Sequence, residues 1–451
     1  MRRSNRTVRW RRLSLVVLTV VGVTSAGLPP AARAAPTPPA ITDWITRNAE
    51  PIRTVDPDAP LDDLAALRRA VGDATVVGLG ESTHGAREEI LLKHRVLRFL
   101  VEERGFRSIA WEDDWSLGLQ VNRYILTGEG DLDALTGELA TTWRSREVAD
   151  VLRWLRRYNA SHDDKVQFVG VEFFATRDVA YDAVADHVAE VAPRRLGELN
   201  RHLEPLRPRS PTIGEHVGWY YALPDKQPYI RHARRVHDLV ERLPHRRGDR
   251  AHELALHHAR QIRSFYEYFA LQGSEQIDYR DVRAAENVRW WRQRTGDRIA
   301  YWAASAHTAN APGLVLSAPP DPEFRWDSAG SHLRRWYGRR YLSIGFTFDH
   351  GTVNINADEP PFAPEPADVP RPPRGWAERP FGDVDREQFW LDLRADAPPA
   401  VQAWRTAPTR TRALAGFDPQ RPDAYHMTGG SLAQWFDVIV HRQVVTPWRP
   451  L

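Results

Sequence analysis

Cysteine is absent from the 451-residue sequence, so disulfide bonds, a thiol nucleophile and thiolate metal ligands are excluded. The fold must be held by its hydrophobic core, and a chain of this length has ample residues to build one. The Gly-x-Ser-x-Gly motif is missing from GESTHG (80–85), which offers no nucleophile elbow. HELALHH (252–258) lacks the four-residue histidine spacing of zinc helices. Two common hydrolase designs are therefore not expected.

A strong charge of one sign is also missing. The formal net charge is +3, but residues 1–34 hold seven arginines and no acid, so their removal leaves a net charge of −4. No long run of lysine and arginine remains after that segment. We therefore expect neither nucleic acid nor an anionic membrane as a partner.

Residues 1–34 have the pattern of a secretory signal peptide. An arginine-rich start precedes an apolar run over 13–26, and the small residues ARA follow at 32–34. The apolar run is shorter than the roughly 20 residues that a membrane span needs. We expect cleavage, a secreted or extracytoplasmic protein, and no stable membrane contact after removal of the signal. A retained N-terminal anchor is the alternative.

Short apolar runs that end in polar residues alternate with helical patterns. The runs are TVVGLG (75–80), SIAWE (108–112), VQFVGVE (166–172) and RIAYWAASAH (298–307). Between the first two, REEILLKHRVLRFLVEERG has helical spacing of its apolar residues and a stop at Gly105. This alternation predicts a layered α/β fold, with a largely parallel central sheet flanked by helices.

The later part of the chain divides into three predicted segments. Residues 35–177 form the first half of the α/β core, 178–296 a helical insertion that covers the active-site crevice, and 297–451 the second half of the core. The aromatics of 218–224 and 264–269 would supply an apolar wall for a bulky substrate, but such residues more often belong to the core. YLSIGFTFDHGTVNI (341–355) predicts a hairpin turning near 349–351, and the proline-rich stretch 358–380 predicts a loop.

Polar side chains stand at the ends of all four predicted strands. They are Glu81 with His84, Glu112, Glu172 and His307. Ligands of open α/β sheets bind at these strand ends. Two histidines with several carboxylates can hold a metal ion, or act without metal when a carboxylate orients an imidazole that deprotonates water.

The stretch GLGESTHG (78–85) also has a purely structural interpretation. Its glycines suit a tight strand-to-helix turn, and Ser82 or Thr83 could cap the following helix. That interpretation leaves Glu81 and His84 unexplained, because a buried carboxylate and imidazole are costly unless they are used.

The residues from Gly78 to Trp115 resemble the erythromycin esterase family, whose pattern is close to G-E-x-T-H-G, a helix, and a strand ending in E-x-D-W. YRDVRAAENVRWW (279–291) and YWAASAHTAN (301–310) resemble later motifs of the same family, in the same order. The resemblance extends over about 41–450. It implies a metal-independent ester hydrolase without a cofactor, in a family that includes enzymes which open macrolide lactones.

The resemblance also implies roles for individual residues. The family's catalytic positions fall on Glu81, His84, Glu112 and His307, and its substrate-binding positions on Lys93, Arg95, Arg280, Glu286, Asn310 and Glu172. Three positions depart from the pattern: Thr308 replaces an asparagine, Asn310 replaces a second histidine, and Glu172 replaces an aspartate. Asparagine cannot take up a proton, so the pocket has fewer groups that can exchange one.

Three functional hypotheses stay open at this point. In the first, His84, oriented by Glu81 or Glu112, activates water against an ester or lactone, and His307 or a basic residue stabilises the oxyanion. The second is a metal-dependent hydrolase on the same cluster. The third is a secreted binding protein for a polyketide or sugar that has lost turnover. We expect a small-molecule ligand and a monomer.

Overall fold

Two β-sheets organise the protein, whose computed structural model describes residues 39–210, 213–356, 363–414 and 416–451. The predicted signal peptide lies outside these residues. The strands are β1 Glu50–Pro51, β2 Val76–Glu81, β3 Phe106–Asp114, β4 Gln167–Glu172, β5 Arg298–Ala304, β6 Leu314–Ser317, β7 Phe324–Trp326, β8 Tyr341–Asn356, β9 Pro364–Val369, β10 Gln388–Asp392, β11 Thr409–Arg412, β12 His426–Gly430 and β13 Val438–Val445.

Helices account for most of the remaining regular structure. The α-helices are α1 Pro39–Asn48, α2 Leu67–Val71, α3 Arg87–Arg104, α4 Trp115–Thr127, α5 Leu132–Glu138, α6 Arg146–Ser161, α7 Asp178–Val191, α8 Leu196–Leu203, α9 Ile213–Tyr221, α10 Gln227–Glu241, α11 Arg250–Tyr268, α12 Gly273–Thr295, α13 Ser305–Thr308, α14 Ala329–Tyr337, α15 Pro399–Thr406 and α16 Leu432–Trp435. Short 3₁₀ helices span Asp62–Leu64, Thr141–Trp143, Pro193–Arg195, Glu204–Leu206, Gly338–Arg340, Arg379–Asp383 and Pro422–Ala424.

The larger sheet has the order β1-β10-β13-β8-β2-β5-β3-β4, with β9 paired to β8. The six strands from β13 to β4 run parallel to one another, and β1, β10 and β9 pair antiparallel. Helices pack on both faces because the central strands are buried on both sides, as continuous apolar strands require. The predicted α/β fold is confirmed.

The first strand-helix-strand unit follows its sequence pattern closely. Helix α3 ends at Gly105, whose φ of 68° is the left-handed conformation that glycine adopts without strain. Strands β2 and β3 are parallel but not adjacent, because β5 from much later in the chain lies between them. The C-terminal ends of β2, β5 and β3 are therefore neighbours.

The predicted hairpin near 349–351 is wrong. Strand β8 continues through this point, and its partner changes: β13 pairs as far as Gly351, and antiparallel β9 pairs from Gly351 onward. The polar pair Asp349 and His350 marks this exchange, and Arg371 binds the buried Asp349 carboxylate. Strand β9 lies within the proline-rich stretch 358–380, so the part of that stretch that is described is not only a loop.

The helical region after β4 consists of two parts. Helices α7, α8, α10 and α11 enclose a hydrophobic cluster of their own, whereas α12 packs on the central sheet through residues such as Ala284, Val288 and Trp291. Tyr220, Phe265 and Tyr266 are buried inside the first part. These three aromatics are therefore core residues, the more common of the two places expected for them.

The smaller sheet is antiparallel, in the order β11-β12-β6-β7. Strands β6 and β7 follow α13 at the end of β5, which places this sheet beside the strand ends of the larger one. Within the described residues, no helix is long and apolar enough to cross a membrane.

Candidate active site

The first functional pair stands at the end of β2. Glu81 is the last residue of the strand, and its Oε1 lies 2.9 Å from Nδ1 of His84. The His84 side chain is 12% exposed and lines a cavity, while Glu81 is almost fully buried. A carboxylate at Nδ1 selects the tautomer whose Nε2 carries the lone pair. In the described part of the chain, Nε2 has no hydrogen-bond partner.

Glu89, in the first turn of α3, holds the turn between β2 and α3 in place. Glu89 accepts hydrogen bonds from the Ser82 hydroxyl at 2.7 Å and from the Thr83 amide at 3.2 Å. The helix itself begins after Ala86, which makes no side-chain cap. Ser82 and Thr83 are therefore not the helix caps that the sequence suggested.

Two glycines of GLGESTHG are required because neighbouring segments of the chain approach them too closely for a side chain. A Cβ on Gly85 would lie 2.0 Å from the carbonyl oxygen of Asn354, and one on Gly80 would lie 2.1 Å from Oγ1 of Thr308. Neither glycine has the positive φ of a tight turn. These contacts hold the turn that carries His84 against β8 and α13.

Lys93 lies behind Glu81 rather than in the cavity. Its side chain is fully buried, and its ammonium contacts Oε2 of Glu81 and lies 4.2 Å from the Trp302 ring centroid. Burial lowers the pKa of Lys93 well below its usual range, and the nearby Glu112 charge offsets this effect only in part. Each oxygen of Glu81 therefore has one partner, His84 or Lys93.

The second strand-end acid, Glu112, is bonded through both oxygens. Oε1 accepts from Nη2 of Arg280 at 2.7 Å, and Oε2 accepts from the Ala304 amide at 2.8 Å. Burial alone would raise the pKa of Glu112, but His307 and Arg280 outweigh burial and lower it to about 2. Glu112 is thus an anion at neutral pH.

His307, in α13 directly after β5, forms a second imidazole-carboxylate pair. Its Nδ1 lies 2.8 Å from Oδ1 of Asp281, and its Nε2 lies 3.0 Å from Nη1 of Arg280 and 3.3 Å from Oε1 of Glu112. Burial lowers the pKa of His307, but Asp281 and Glu112 outweigh burial and raise it above the usual value.

Arg280 connects the acids of two strands. Besides Glu112, it donates from Nε to Oε1 of Glu172 at 3.0 Å. Burial raises the pKa of Glu172 to about 7, and its second oxygen is buried without a hydrogen-bond partner. The carboxylates overcome burial and raise the pKa of Arg280 well above its usual value, so this residue is a permanent cation.

The two histidines are tuned in opposite directions. Burial lowers the pKa of His84, and the nearby Glu112 charge only partly offsets this effect. The pKa of His307 is raised by its acidic neighbours. Two imidazoles on one cavity, one with a lowered pKa and one with a raised pKa, are suited to act as a base and an acid.

The cavity has a polar side and an apolar side. Glu81, His84, Glu112, Arg280 and His307 line the polar side. The apolar side is lined by Ile277 of α12, by Leu316, Phe324 and Trp326 of the smaller sheet, and by Leu414. Of the described residues from the helical region, only those of α12 line this cavity, so the smaller sheet forms the wall that was expected from the helical insertion.

Three residues assigned to substrate binding lie elsewhere. Arg95 is bonded to Asp63 and to two backbone carbonyls of the segment before α2. Glu286 pairs with Arg283, and Asn310 donates to the Gln434 carbonyl at 3.1 Å. None of these three side chains lines the cavity, where the sequence predicted substrate contacts for them. Positions 93 and 95 are about 200° apart around α3, so only one of them can face Glu81.

Glu172 and Lys93 occupy a second layer behind the cavity. Neither side chain lines it, yet each binds a residue that does, Arg280 or Glu81. Asp281 has the same relation to His307, and the sequence analysis did not select it. The sequence feature that could have identified Asp281 is its position directly after Arg280 in YRDVRAAENV. Consecutive residues of a helix lie on neighbouring faces of α12.

Glu81, His84 and Glu112 also form a possible ligand set for a metal ion, because one ligand atom from each lies within 4.8 Å of the others. Hydrogen bonds and ion pairs already engage the carboxylate oxygens: Lys93 and His84 bind Glu81, and Arg280 binds Glu112. A divalent cation would have to displace these contacts next to two basic side chains.

The chain resembles known proteins of one family over most of its length. The family model for erythromycin esterase matches residues 101–445. An erythromycin esterase type II from Escherichia coli is 34% identical over 130 residues, which is 29% of this chain and 31% of that protein. The chain therefore aligns with about a third of the length of its curated relatives.

Solved structures cover more of the chain. A Bacillus cereus protein of known crystal structure matches with a TM-score of 0.80 and 27% identity, over 91% of this chain and 98% of that one. A mutant erythromycin esterase in its open conformation matches with a TM-score of 0.69 over 88% of this chain and 98% of that one. At 19% identity, the latter shows a shared fold. By its sequence match over 101–445, the chain belongs to the erythromycin esterase family.

Proposed function

We propose that this protein hydrolyses carboxylic esters, with His84 as the general base that activates water. The observation that carries the proposal is the presence of two carboxylate-bound imidazoles on one cavity, with opposite pKa shifts. Membership of the erythromycin esterase family supports the hydrolase class.

The base step uses the free nitrogen of His84. The Nδ1–H group donates to Glu81, so Nε2 takes a proton from water while the water oxygen attacks the ester carbonyl carbon. Because burial lowers the pKa of His84, the imidazole is neutral at pH 7 and ready to accept this proton. No covalent bond between the protein and the acyl group is required.

Arg280 and His307 stabilise the negative charges that develop on the substrate oxygens after water attacks. Arg280 is a permanent cation beside the cavity and stabilises the oxyanion, an effect typically worth about 3 kcal/mol for one well-placed donor. His307, whose pKa is raised, donates its proton to the leaving alkoxide as the carbon–oxygen bond breaks. The products are an acid and an alcohol, and both histidines return to their starting states by exchanging one proton with solvent.

The apolar wall supports a bulky substrate. Leu316, Phe324 and Trp326 line the same cavity as the polar residues and offer surface to an ester with a large hydrocarbon part. The relatives named erythromycin esterase make macrolide lactones the first class to test. In a lactone, the leaving alcohol stays attached to the acid and the ring opens.

A mass-spectrometric screen of esters and macrolide lactones tests the proposal. Wild type, His84→Ala and the control His162→Ala, an exposed histidine outside the cavity, are compared on each compound. We expect hydrolysis by wild type and the control, and its loss in His84→Ala. Hydrolysis that survives His84→Ala would contradict the assigned base, and binding without hydrolysis by wild type would favour a binding protein.

The metal-dependent alternative has a specific observation behind it, the ligand set of Glu81, His84 and Glu112. Treatment of active wild type with EDTA, followed by addition of zinc or manganese, separates the two schemes. We expect no change in rate, because Lys93 and Arg280 already bind the oxygens that a metal ion would need. Loss of activity with EDTA and recovery with metal would replace the metal-free mechanism.

A further inference from the structure

A second polar cavity lies in the helical region, between α10, α11 and α12, and it is separate from the proposed active site. It is lined by His237, Arg260, Arg263, Ser264, Tyr279, Arg283 and Glu286. Three guanidinium groups and one carboxylate therefore face the same space.

The positive charges of this cavity are only partly neutralised by protein groups. Arg283 pairs with Glu286, and Nε of Arg263 donates to Oε1 of Glu267 at 3.0 Å. Arg260 has neither a hydrogen bond nor an ion pair at contact distance among the described residues. One partly buried guanidinium is thus left with all of its donors available.

Two buried nitrogen atoms at the cavity also lack partners. Nδ1 of His237 is buried without a hydrogen bond, and the Asp238 carboxylate oxygen, at 3.8 Å, is beyond hydrogen-bond distance. Nε of Arg283 is also buried and unpartnered within the part of the chain that the structure describes. Both atoms are closed to solvent in this structure, so the partly buried Arg260 supplies the donors that a ligand can reach.

We propose that this cavity binds a small oxyanion of the phosphate type, either free or as the phosphoryl group of a small molecule. Guanidinium groups match the paired oxygens of phosphate, and Arg260 supplies an unoccupied fork for such a contact. The side chain of Ser264 adds a hydroxyl donor at the same cavity. The ligand takes the place of the partner that Arg260 lacks.

A cation is the competing occupant of this region. His237, Asp238 and Glu241 have ligand atoms within 4.8 Å of one another. Arg260 and Arg263 are close enough to His237 to lower its pKa electrostatically, after the larger effect of burial. The same positive charges repel a metal ion and attract an anion, which favours phosphate.

Titration calorimetry of the purified full-length protein with inorganic phosphate tests the proposal at constant ionic strength. Arg260→Gln removes the free guanidinium, and Arg235→Gln is the matched control, an exposed arginine on α10 outside the cavity. We expect saturable binding to wild type and to the control, and roughly tenfold weaker binding to Arg260→Gln. A phosphorylated sugar compared with the unphosphorylated sugar distinguishes free phosphate from a phosphoryl group.

Binding is the readout because α12 also carries Arg280, so activity could change for other reasons. Absence of saturable phosphate binding, or equal weakening by both substitutions, would refute the site. Binding of zinc without binding of phosphate would replace it with the cation site. If Arg260→Gln does not fold, the imidazole signals of His237 in wild type decide: they shift with phosphate if the site is correct and stay unchanged if it is not.

Discussion

Replacement of Asp281 by asparagine removes one negative charge beside His307 while nearly keeping the size of the side chain. Oδ1 of Asp281 lies 2.8 Å from Nδ1 of His307 and accepts from the Ala329 amide at 3.2 Å, and an asparagine oxygen can take both bonds. Its second oxygen is buried without a partner, so the new amide group breaks no existing bond. The change therefore alters charge more than geometry.

The main effect of Asp281→Asn is on the acid of the reaction. Because Asp281 is the largest cause that raises the pKa of His307, we expect that pKa to fall in the variant. A hydrogen bond to a charged group contributes about 1.5–3 kcal/mol, which corresponds to roughly a ten- to hundredfold loss in kcat if His307 must be protonated. Substrate binding should change little, since Asp281 does not line the cavity.

The pH dependence separates this account from a purely structural effect. The alkaline limb of kcat reports loss of the His307 proton and should move to lower pH in Asp281→Asn, while the acidic limb, set by His84, should stay in place. The raised pKa of His307 also stabilises the folded protein. This stabilisation is fully present below the usual pKa of 6.5 and is lost as pH rises through the pKa of His307 in the folded protein. In the variant, this pH-dependent loss of stability should vanish. An alkaline limb at the wild-type position would refute the reasoning.

Three further predictions concern other parts of the site. Arg95→Met should lower the free energy of unfolding in urea by roughly 3–5 kcal/mol without altering kcat/KM, because it breaks a buried ion pair away from the cavity. An altered kcat/KM at unchanged stability would instead support a role of Arg95 in substrate binding. Gly85→Ala should lower both Tm and kcat, since the new Cβ would meet the Asn354 carbonyl at 2.0 Å; a variant with wild-type Tm and kcat would contradict this packing. Glu112→Gln should shift the acidic limb of the pH profile to lower pH, because the Glu112 charge raises the pKa of His84, and an unmoved limb would show that this charge is not felt.

The central residues of the site could be predicted from the sequence because the ends of buried strands can be recognised there. Glu81, Glu112 and His307 follow short apolar runs whose lengths and polar ends define β2, β3 and β5. Parallel strands bring their C-terminal ends to one edge of the sheet. The meeting of residues that are far apart in sequence can therefore be predicted even when the strand order is not known. The order itself, with β5 between β2 and β3, was not predictable from the local pattern.

Other features depend on contacts that local sequence does not encode. Lys93 and Arg95 both occur in the buried helix α3, and only the positions of Glu81 and Asp63 decide which role each has. The continuation of β8 past Gly351 depends on a change of partner strand from β13 to β9. The apolar wall of the cavity comes from β6 and β7 of the smaller sheet, and β6 also pairs with β12 from much later in the chain.

The direct attack of water, activated by His84, is the central claim, and single-turnover hydrolysis in H₂¹⁸O tests it most directly. With enzyme in excess over an ester or lactone identified in the screen, the account predicts one ¹⁸O atom in the newly formed carboxyl group. It also predicts that His84→Ala still binds the substrate but forms no product on this timescale. A first-turnover product that carries only ¹⁶O would show a protein carboxylate as nucleophile, and rapid product formation by His84→Ala would remove His84 as the base.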